Sequence, residues 1–460
     1  MQTKLKCIIP SCDFTSDIHT DINSCQKCGN LLDVVYEGQN PDNMLELFSH
    51  RKANPKSIFD KSGIWRFREL LPFALNEPNP EAVLASLDGK EGQTQPFNLT
   101  EVAKYVNLES KDFFLQFEGD NPTGSFKDNG MAACFTHAKI MNRTNVVCAS
   151  TGNTSASMAA FAANELGKMK AIVFIGSGKI AMGKLAQSLE YGAKVIQIKG
   201  DFDDAMDAVI KIASKEKIYL MNSVNPFRLE GQKTIMYRVL EGFNWEAPDW
   251  IVVPGGNLGN SSSFGKAFYE LKQLGLINKI PKIAIINAEG SDTLYRLFND
   301  EGVRWNDGKP EMDKINAFYK QMDVEGRKAH TIASAIEINK PVNLLKALRV
   351  LEWSNGVVRR VSDMDMLDAK AVIGKNGFGC EPASAASVAG IKLLVKEGII
   401  KPDERVVGIL TGHQLKDPKA TIDYHTNKEN KFANFPVEVE NDIAAIKKTI
   451  DSRFLDAQEA

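Results

Sequence analysis

Lys127 lies in Asn121-Pro-Thr-Gly-Ser-Phe-Lys-Asp128, where the Asn-Pro and Thr-Gly pairs signal turns. Ser125 followed three residues later by Asp128 predicts a capping box at the start of a helix running to about Ile140. That places Lys127 in the first helical turn, where the macrodipole disfavours a cation by about 0.3–1 kcal/mol. The dipole and the flanking Phe126 both favour the neutral amine, the form that makes a Schiff base with a carbonyl. Covalent chemistry on Lys127 is one reading of the segment; a surface lysine beside a displaced helix start is the other.

Other segments have the composition of anion sites. Asn145-Val-Val-Cys-Ala149 reads as a strand running into Ser150-Thr-Gly-Asn-Thr-Ser155 and then a small-residue helix, Ala156–Ala163. A hydroxyl-rich turn opening a helix offers N–H groups and dipole to a carboxylate, or simply caps the helix with one hydroxyl. Trp250-Ile-Val-Val-Pro254 repeats the design ahead of Gly255-Gly-Asn-Leu-Gly-Asn260, whose glycines let the backbone close around a phosphate. This is not a dinucleotide fingerprint: Asn257 and Asn260 occupy its second and third glycine positions, although Glu289 stands where a ribose-binding acid could. Gly178-Lys-Ile-Ala-Met-Gly-Lys-Leu185 nearly matches a nucleotide-triphosphate loop, but Leu185 replaces the magnesium-binding hydroxyl, and that reading is rejected.

Asn222-Ser-Val-Asn-Pro-Phe-Arg228 gathers amide, hydroxyl and guanidinium groups suited to phosphate, although a lone arginine in such a turn more often has a structural partner. Thr411, at the end of the apolar run Arg405–Leu410, lies where open α/β sheets bind ligands. His413 beside it reads as a structural histidine rather than a base.

Of the 7 cysteines, Cys7, Cys12, Cys25 and Cys28 crowd the amino-terminal region, in the spacing of a four-thiolate zinc ribbon. Four thiolates close the coordination sphere, so the predicted ion is structural. His19 is a possible substitute ligand, a loop histidine being the plainer reading. Cys134, Cys148 and Cys380 sit in apolar surroundings as free thiols usually do.

The elements that must position these groups follow from periodicity. Asn145–Ala149, Lys170–Ile175, Lys194–Ile198, Trp250–Val253, Lys282–Ile286 and Arg405–Leu410 are short apolar runs, each followed by a turn and usually a helix. That alternation predicts an α/β fold with parallel strands. Five segments are expected. Residues 1–37 form a zinc-ribbon-like segment; 38–129 with 219–417 form a large α/β domain, and 130–218 a small α/β domain. Residues 418–460 form a helical extension, with an amphipathic helix over Val437–Phe454 packed on the body. The 460 residues, with 43% hydrophobic and 25% charged content, suffice for about three domains of roughly 150 residues. A net charge of -2 gives no electrostatic reason to expect nucleic acid or anionic membrane as a partner. With no apolar run near the roughly 18 residues of a membrane span and no secretion-like amino terminus, the expected location is cytoplasmic.

Taken together, Gly63–Pro72, Pro122–Asp128, Ser150–Ser155, Asn222–Thr234, Gly256–Asn260, Cys380–Ala386 and Thr411–Pro418 resemble the fold-type-II pyridoxal-phosphate enzymes, and among them the threonine synthases. The resemblance implies a tryptophan synthase β-like fold of two open parallel-sheet domains, usually as a homodimer. It implies that Lys127 carries pyridoxal phosphate, that Asn153 bonds the ring oxygen, and that Gly255, Gly256, Asn257, Leu258, Gly259 and Asn260 cradle the cofactor phosphate. Thr411 would face the ring nitrogen, where a neutral hydroxyl leaves a milder electron sink. Ser150, Thr151 and Thr154 would take the substrate carboxylate; Asn222, Ser223 and Arg228 would take the substrate's phosphate.

The implied reaction is γ-elimination of phosphate from O-phospho-L-homoserine and β-addition of water, with Lys127 moving protons, to give L-threonine. Some threonine synthases and close relatives carry a similar cysteine knuckle. Gln95, where the family commonly reads Thr-Pro-Leu, and Asn129, where an arginine is frequent, depart from the pattern. Rival readings are a cysteate synthase, a threonine dehydratase, or a zinc-bearing interaction protein on an inactive scaffold. The Asn222–Arg228 segment speaks against a dehydratase, whose substrate has no phosphate.

Overall fold

A computed structural model of the protein describes residues 2–38, 43–73, 77, 79–176, 182–199 and 202–452. Residues 178–181 of the triphosphate-loop-like segment, and Phe454 at the end of the amphipathic stretch, lie outside the described residues. The chain divides into two units, Met1–Asp417 and Pro418–Ala460.

The amino-terminal strands β1 (Gln2–Cys7), β2 (Thr15–Asp17) and β3 (Leu32–Glu37) form an antiparallel ribbon in the order β2-β1-β3. Alternation along β3 buries Leu32 and Val34 on one face. Asp33, facing the other way, reaches cations of the body.

β4 (Pro96–Phe97) and β5 (Phe113–Phe117) enter a larger sheet. β6 (Asn145–Ala149), β7 (Lys170–Gly176), β8 (Lys194–Ile198) and β9 (Tyr219–Leu220) form a separate all-parallel sheet ordered β8-β7-β6-β9. β10 (Trp250–Pro254), β11 (Lys282–Ala288), β12 (Val357–Val361) and β13 (Val406–Leu410) complete the larger sheet, ordered β12-β11-β10-β13-β5-β4 and parallel except for β4. Every residue of β10 and β13 is buried, which is why these strands read as unbroken apolar runs.

All six predicted strands are present: β7, β10 and β11 run one or two residues longer, and β13 starts one later. The carboxyl ends of β6, β10 and β13 deliver Ser150, Gly255 and Thr411, the edge at which parallel sheets bind ligands.

The helices that frame this edge are α1 (Lys127–Ile140), α2 (Asn153–Ala163), α3 (Pro226–Gly242), α4 (Gly259–Gln273), α5 (Leu344–Trp353) and α6 (Pro382–Lys396). α1 begins at Lys127 and ends at Ile140 as predicted, but without the predicted capping box. Asp128 turns back instead, accepting from Thr123 N (2.8 Å), Thr123 Oγ1 (2.6 Å) and Ser157 Oγ (2.5 Å), while Ser125 Oγ accepts only a long bond from Lys127 N (3.4 Å). The carboxylate thus ties the lysine turn to α2, a tertiary role that an i, i+3 pattern does not reveal.

The ribbon docks on the body through buried charge. Asp33 meets Lys346 (2.9 Å) and Arg349 (2.6 Å) of α5, and Lys346 also donates to Leu32 O (2.7 Å). Tyr36 OH donates to Glu230 of α3, which lies with Lys233, Lys266 and Glu270 in a four-membered ion cluster.

His137 of α1 adds a neutral link between ribbon and body. One ring nitrogen bonds Ile18 O and the other Tyr219 OH, both at 2.6 Å, with the ring stacked on Phe227 at 3.6 Å. The Ile18 carbonyl requires a proton on Nε2, so in the neutral ring Nδ1 accepts from Tyr219 OH. Burial pushes its pKa down to about 3. Because the folded value is the lower one, stability is fully present above the unfolded pKa of about 6.5 and falls as pH drops toward 3. This residue alone is expected to remove about 2 kcal/mol between pH 7 and pH 5. Urea unfolding of His137→Gln at both values checks this: the variant should lose less stability than the parent across the interval, and an equal loss refutes it.

In the second unit, Pro418–Thr426 and Ile443–Ile450 are helical. The latter falls within the predicted amphipathic helix and is shorter than predicted. Among the described residues no helix is long and apolar enough to cross a membrane.

Candidate active site

The site is assembled where α1 and α3 cross. A Cβ on Gly231 would lie 2.0 Å from Asn129 O, so glycine is required for this approach. The crossing brings Arg228, on the first turn of α3, to Lys127, on the first turn of α1. Lys127 is partly buried, its ammonium over the Phe126 ring at 3.9 Å. Burial first, and then the positive charge of Arg228, hold its pKa well below the ordinary lysine value, with Glu381 acting in opposition. The sequence argument for a depressed amine named the dipole and Phe126; the larger causes are enclosure and a cation brought from about a hundred residues away.

The Gly255–Asn260 loop is held from below. Gly255 N donates to Ile286 O and Asn287 Nδ2 donates to Gly255 O, each at 2.7 Å. Leu258 is buried with φ +62°, in the left-handed region that leucine rarely adopts. It forms the N-cap of α4, which opens without a side-chain cap. The first N–H groups of that helix therefore face the loop as anion donors. Gln232 Nε2 fixes Asn260 through its Oδ1 (2.5 Å).

Thr411 to His413 are stitched on both sides. Phe126 N donates to Thr411 O (3.0 Å), His413 N to Gly124 O (2.9 Å) and Glu381 N to Gly412 O (3.0 Å). A Cβ on Gly412 would sit 2.4 Å from Glu381 Oε1. Thr411 Oγ1 shares a 3.0 Å bond with Ser384 Oγ, and Asn153 Nδ2 donates to Glu381 (2.9 and 3.2 Å). Lys127, Asn153 and Thr411 are thereby gathered around Glu381 and Ser384. Sequence reasoning singled out the Cys380–Ala386 segment but gave neither residue a role. His413 Nδ1 accepts from Leu415 N (3.1 Å), a structural use.

The hydroxyl-rich turn lies opposite. Ser150 Oγ accepts from Gly152 N (3.1 Å); Thr151 sits in the same turn. Thr154 Oγ1 accepts from Arg228 Nη2 (3.0 Å), while Arg228 Nη1 donates to Met221 O (2.8 Å). The Arg228 side chain is buried, its Nε has no partner, and among the described residues no carboxylate pairs with it. Asn222 is committed to the backbone: Oδ1 accepts from Ala149 N and Nδ2 donates to Ala149 O, both at 3.0 Å. It steadies the end of β6. Ser223 is half-buried in the turn between them.

The two departures from pattern are accommodated. Gln95 is exposed; its neighbour Thr94 is buried and bonded to Glu118 (2.7 Å). Asn129 Nδ2 also donates to Glu118 (2.8 Å), and Arg238 supplies that carboxylate with a buried ion pair at 2.8 Å.

Away from this site, the four amino-terminal thiols converge. Cys7 and Cys28 lie 3.5 Å apart, Cys12 and Cys25 3.6 Å, and all four sulfurs fall within 4.8 Å of one another. A tetrahedral ion with Zn–S bonds of about 2.3 Å requires sulfurs about 3.8 Å apart. Burial pushes the Cys7 thiol up, whereas at Cys28 bonds from Asn30 and the neighbouring thiols overcome burial and bring it to about 6. His19 is held by Asp17 (2.7 Å) and Glu77 (2.9 Å), outside the cluster.

A lysine with a depressed pKa between an uncapped helix start and a strand-end hydroxyl defines a cofactor-dependent enzyme of the α/β class. The chain belongs to the pyridoxal-phosphate dependent enzyme family, whose family model matches residues 87–412. Within that family it groups with the threonine synthases. It is 40% identical to the threonine synthase of Methanocaldococcus jannaschii over 446 residues, covering 97% of this chain and 98% of that one. The threonine synthase of Methanosarcina acetivorans is 38% identical over 448 residues, again 97% and 98% of the two chains. Among solved structures, processed threonine deaminase isoform 2 from Solanum lycopersicum superposes with a TM-score of 0.54 at 15% identity, over 84% of this chain and 96% of that one. That likeness speaks for the fold alone.

Proposed function

We propose that this protein converts O-phospho-L-homoserine and water into L-threonine and phosphate, using pyridoxal phosphate held on Lys127. The residues present fit the cofactor: an amine of depressed pKa for its aldehyde, the Gly255–Asn260 loop and uncapped α4 for its phosphate, and a neutral hydroxyl, Thr411, for its ring nitrogen. Asn153, its amide held by Glu381, would face the ring oxygen.

When bound, the cofactor supplies an electron sink that stabilises negative charge on the substrate carbons next to the amino group. The chain's own groups do the rest. Ser150, Thr151 and Thr154 and the start of α2 hold the substrate carboxylate. Lys127, whose pKa burial and the Arg228 charge hold well below the ordinary lysine value, accepts the α-proton and returns protons to carbon. Arg228 and Ser223 take the substrate's phosphate, so negative charge arriving on the leaving group meets a fixed cation. In the net change a proton leaves Cβ and the Cγ–O bond breaks, phosphate departing with that bond's electron pair and taking up a proton. Water then provides a hydroxyl at Cβ and a proton at Cγ.

The observation that carries this reading is Arg228, a buried guanidinium beside the lysine turn with no carboxylate partner among the described residues. A substrate bringing its own dianion completes it; threonine, the dehydratase substrate, does not. The test is an assay of cofactor-loaded protein with O-phospho-L-homoserine. Threonine formed in step with phosphate is expected. No threonine sinks the reading, and a sulfite-dependent product from O-phosphoserine would point to a cysteate synthase.

Cys7, Cys12, Cys25 and Cys28 are assigned to one structural zinc ion. Metal analysis should return about one zinc per chain, and Cys25→Ser should lose both the metal and on the order of 4 kcal/mol of stability. A metal-free protein of undiminished stability removes the assignment. The working assembly is taken as a homodimer, as the family resemblance implies; a single-chain mass in sedimentation at micromolar concentration would overturn it.

A further inference from the structure

Asn343 lies immediately before α5, fully buried. Asparagine is a favoured helix cap, yet here its side chain makes no cap bond. Ser362, ahead of the helix Asp363–Lys375, does cap its own helix. The Asn343 amide points elsewhere. Nδ2 donates to Ser223 O (3.2 Å) and to Asn257 O (3.3 Å), and the backbone N of Asn343 donates to the same Asn257 oxygen (3.2 Å). Val342 N completes the contact by donating to Asn257 Oδ1 (3.2 Å). Both side-chain acceptors are carbonyl oxygens, so the amide orientation is fixed by chemistry: only the NH₂ end can face them.

One side chain thus joins two loops that the chain separates by more than thirty residues. The Ser223 turn precedes Arg228, and the Asn257 loop opens α4. The residue doing so is itself held at a distance, because Lys346 and Arg349, one and two turns along α5, are locked onto Asp33 of the ribbon. A group mounted at the start of a helix that is anchored through its first two turns is a rigid spacer.

We propose that Asn343 is a positioning residue that sets the separation between the substrate-phosphate turn at Ser223 and the cofactor-phosphate loop at Asn257. The assignments of the Ser223 turn and of the Asn257 loop rest on the function proposed above, but the hydrogen bonds that link the two loops do not. Asn343→Leu removes both donors at similar size; Asn343→Asp keeps the shape and sets an acceptor against two carbonyl oxygens. Both variants are expected to raise the Kd for pyridoxal phosphate and the KM for O-phospho-L-homoserine together, by about tenfold for Leu and more for Asp. The kcat should stay within about threefold.

Cofactor Kd is measured by titrating the cofactor-free protein, and thermal midpoints are recorded alongside. A lowered midpoint with both constants unchanged would make Asn343 a stability residue only, and movement of one constant alone would break the proposed link. Either result overturns the proposal. If the parent protein fails to turn over the substrate, the functional reading falls, while the cofactor Kd and the affinity for inorganic phosphate still test the link. Should the Asp variant prove insoluble, Asn343→Ser, which can donate only one bond, carries the same comparison.

Discussion

Changing Lys127 to alanine is expected to abolish turnover, by about 10³-fold or more, and to leave a protein that releases its cofactor on gel filtration. The residue carries the covalent attachment and the proton transfers, and the site offers no second amine in the same turn. Lys416, which reaches the same loop, is committed to Thr123 O (2.8 Å) and Gln187, so Lys416→Met should retain most cofactor. Lys127→Arg keeps length and charge but cannot be deprotonated, and should be as inactive as alanine. The pH profile follows from the depressed pKa. The required neutral amine is present above the folded pKa and lost as pH falls through it. Because that value lies well below the ordinary 10.5, rate is retained at pH values where a solvated lysine would already be protonated. Rates for the three variants, with cofactor absorbance after desalting, decide the matter. Substantial threonine formation by the alanine variant would place the chemistry elsewhere.

Arg228→Met should move function and stability in opposite directions. Losing a buried guanidinium from a phosphate is expected to cost 2–5 kcal/mol of binding, roughly 30-fold to several thousandfold in KM. In the free protein the same guanidinium is a desolvated charge beside two thiols, Cys134 and Cys148, and burial is what depresses its pKa. Removing an uncompensated buried charge relieves that penalty. The bonds to Met221 O and Thr154 Oγ1 are lost in exchange, at about 1 kcal/mol each. Unfolding stability should therefore be unchanged or raised while KM climbs. Steady-state kinetics and denaturant unfolding on one preparation test both halves; an unaltered KM removes Arg228 from substrate binding.

The strands that position the site were legible because β10, β11 and β13 are buried on both faces and so are written in continuous apolar residues. β5 was not picked out. Its Phe113-Phe-Leu-Gln-Phe117 carries a buried glutamine whose NH₂ group is taken up by Thr94, from another segment, and by Glu118 two residues further on. β12 was missed for a different reason: Val357-Val-Arg-Arg-Val361 is an edge strand with half-exposed arginines, and its polarity resembles a loop. Lys127, the glycine loop and Thr411 could be found because each sits at a turn following or preceding a regular element. Glu381, Ser384 and Asn343 act only through partners distant in sequence, so their local surroundings gave no sign of the role. The capping box failed in the same way, since Asp128 had a better partner in Ser157 than in its own helix.

The charged seam between ribbon and body has a consequence for how the molecule comes apart. A partial opening would part Lys346 and Arg349 from Asp33, and Glu230 from the hydroxyl of Tyr36, before water could fully reach them. Such a half-separated state carries the desolvation cost of charges while forfeiting their attraction, so it lies too high to be populated. The ribbon is thus a member of the body's cooperative unit rather than an appendage. Residues 2–417 should melt in a single calorimetric step, with loss of the thiolate site and collapse of the lysine site occurring at the same temperature.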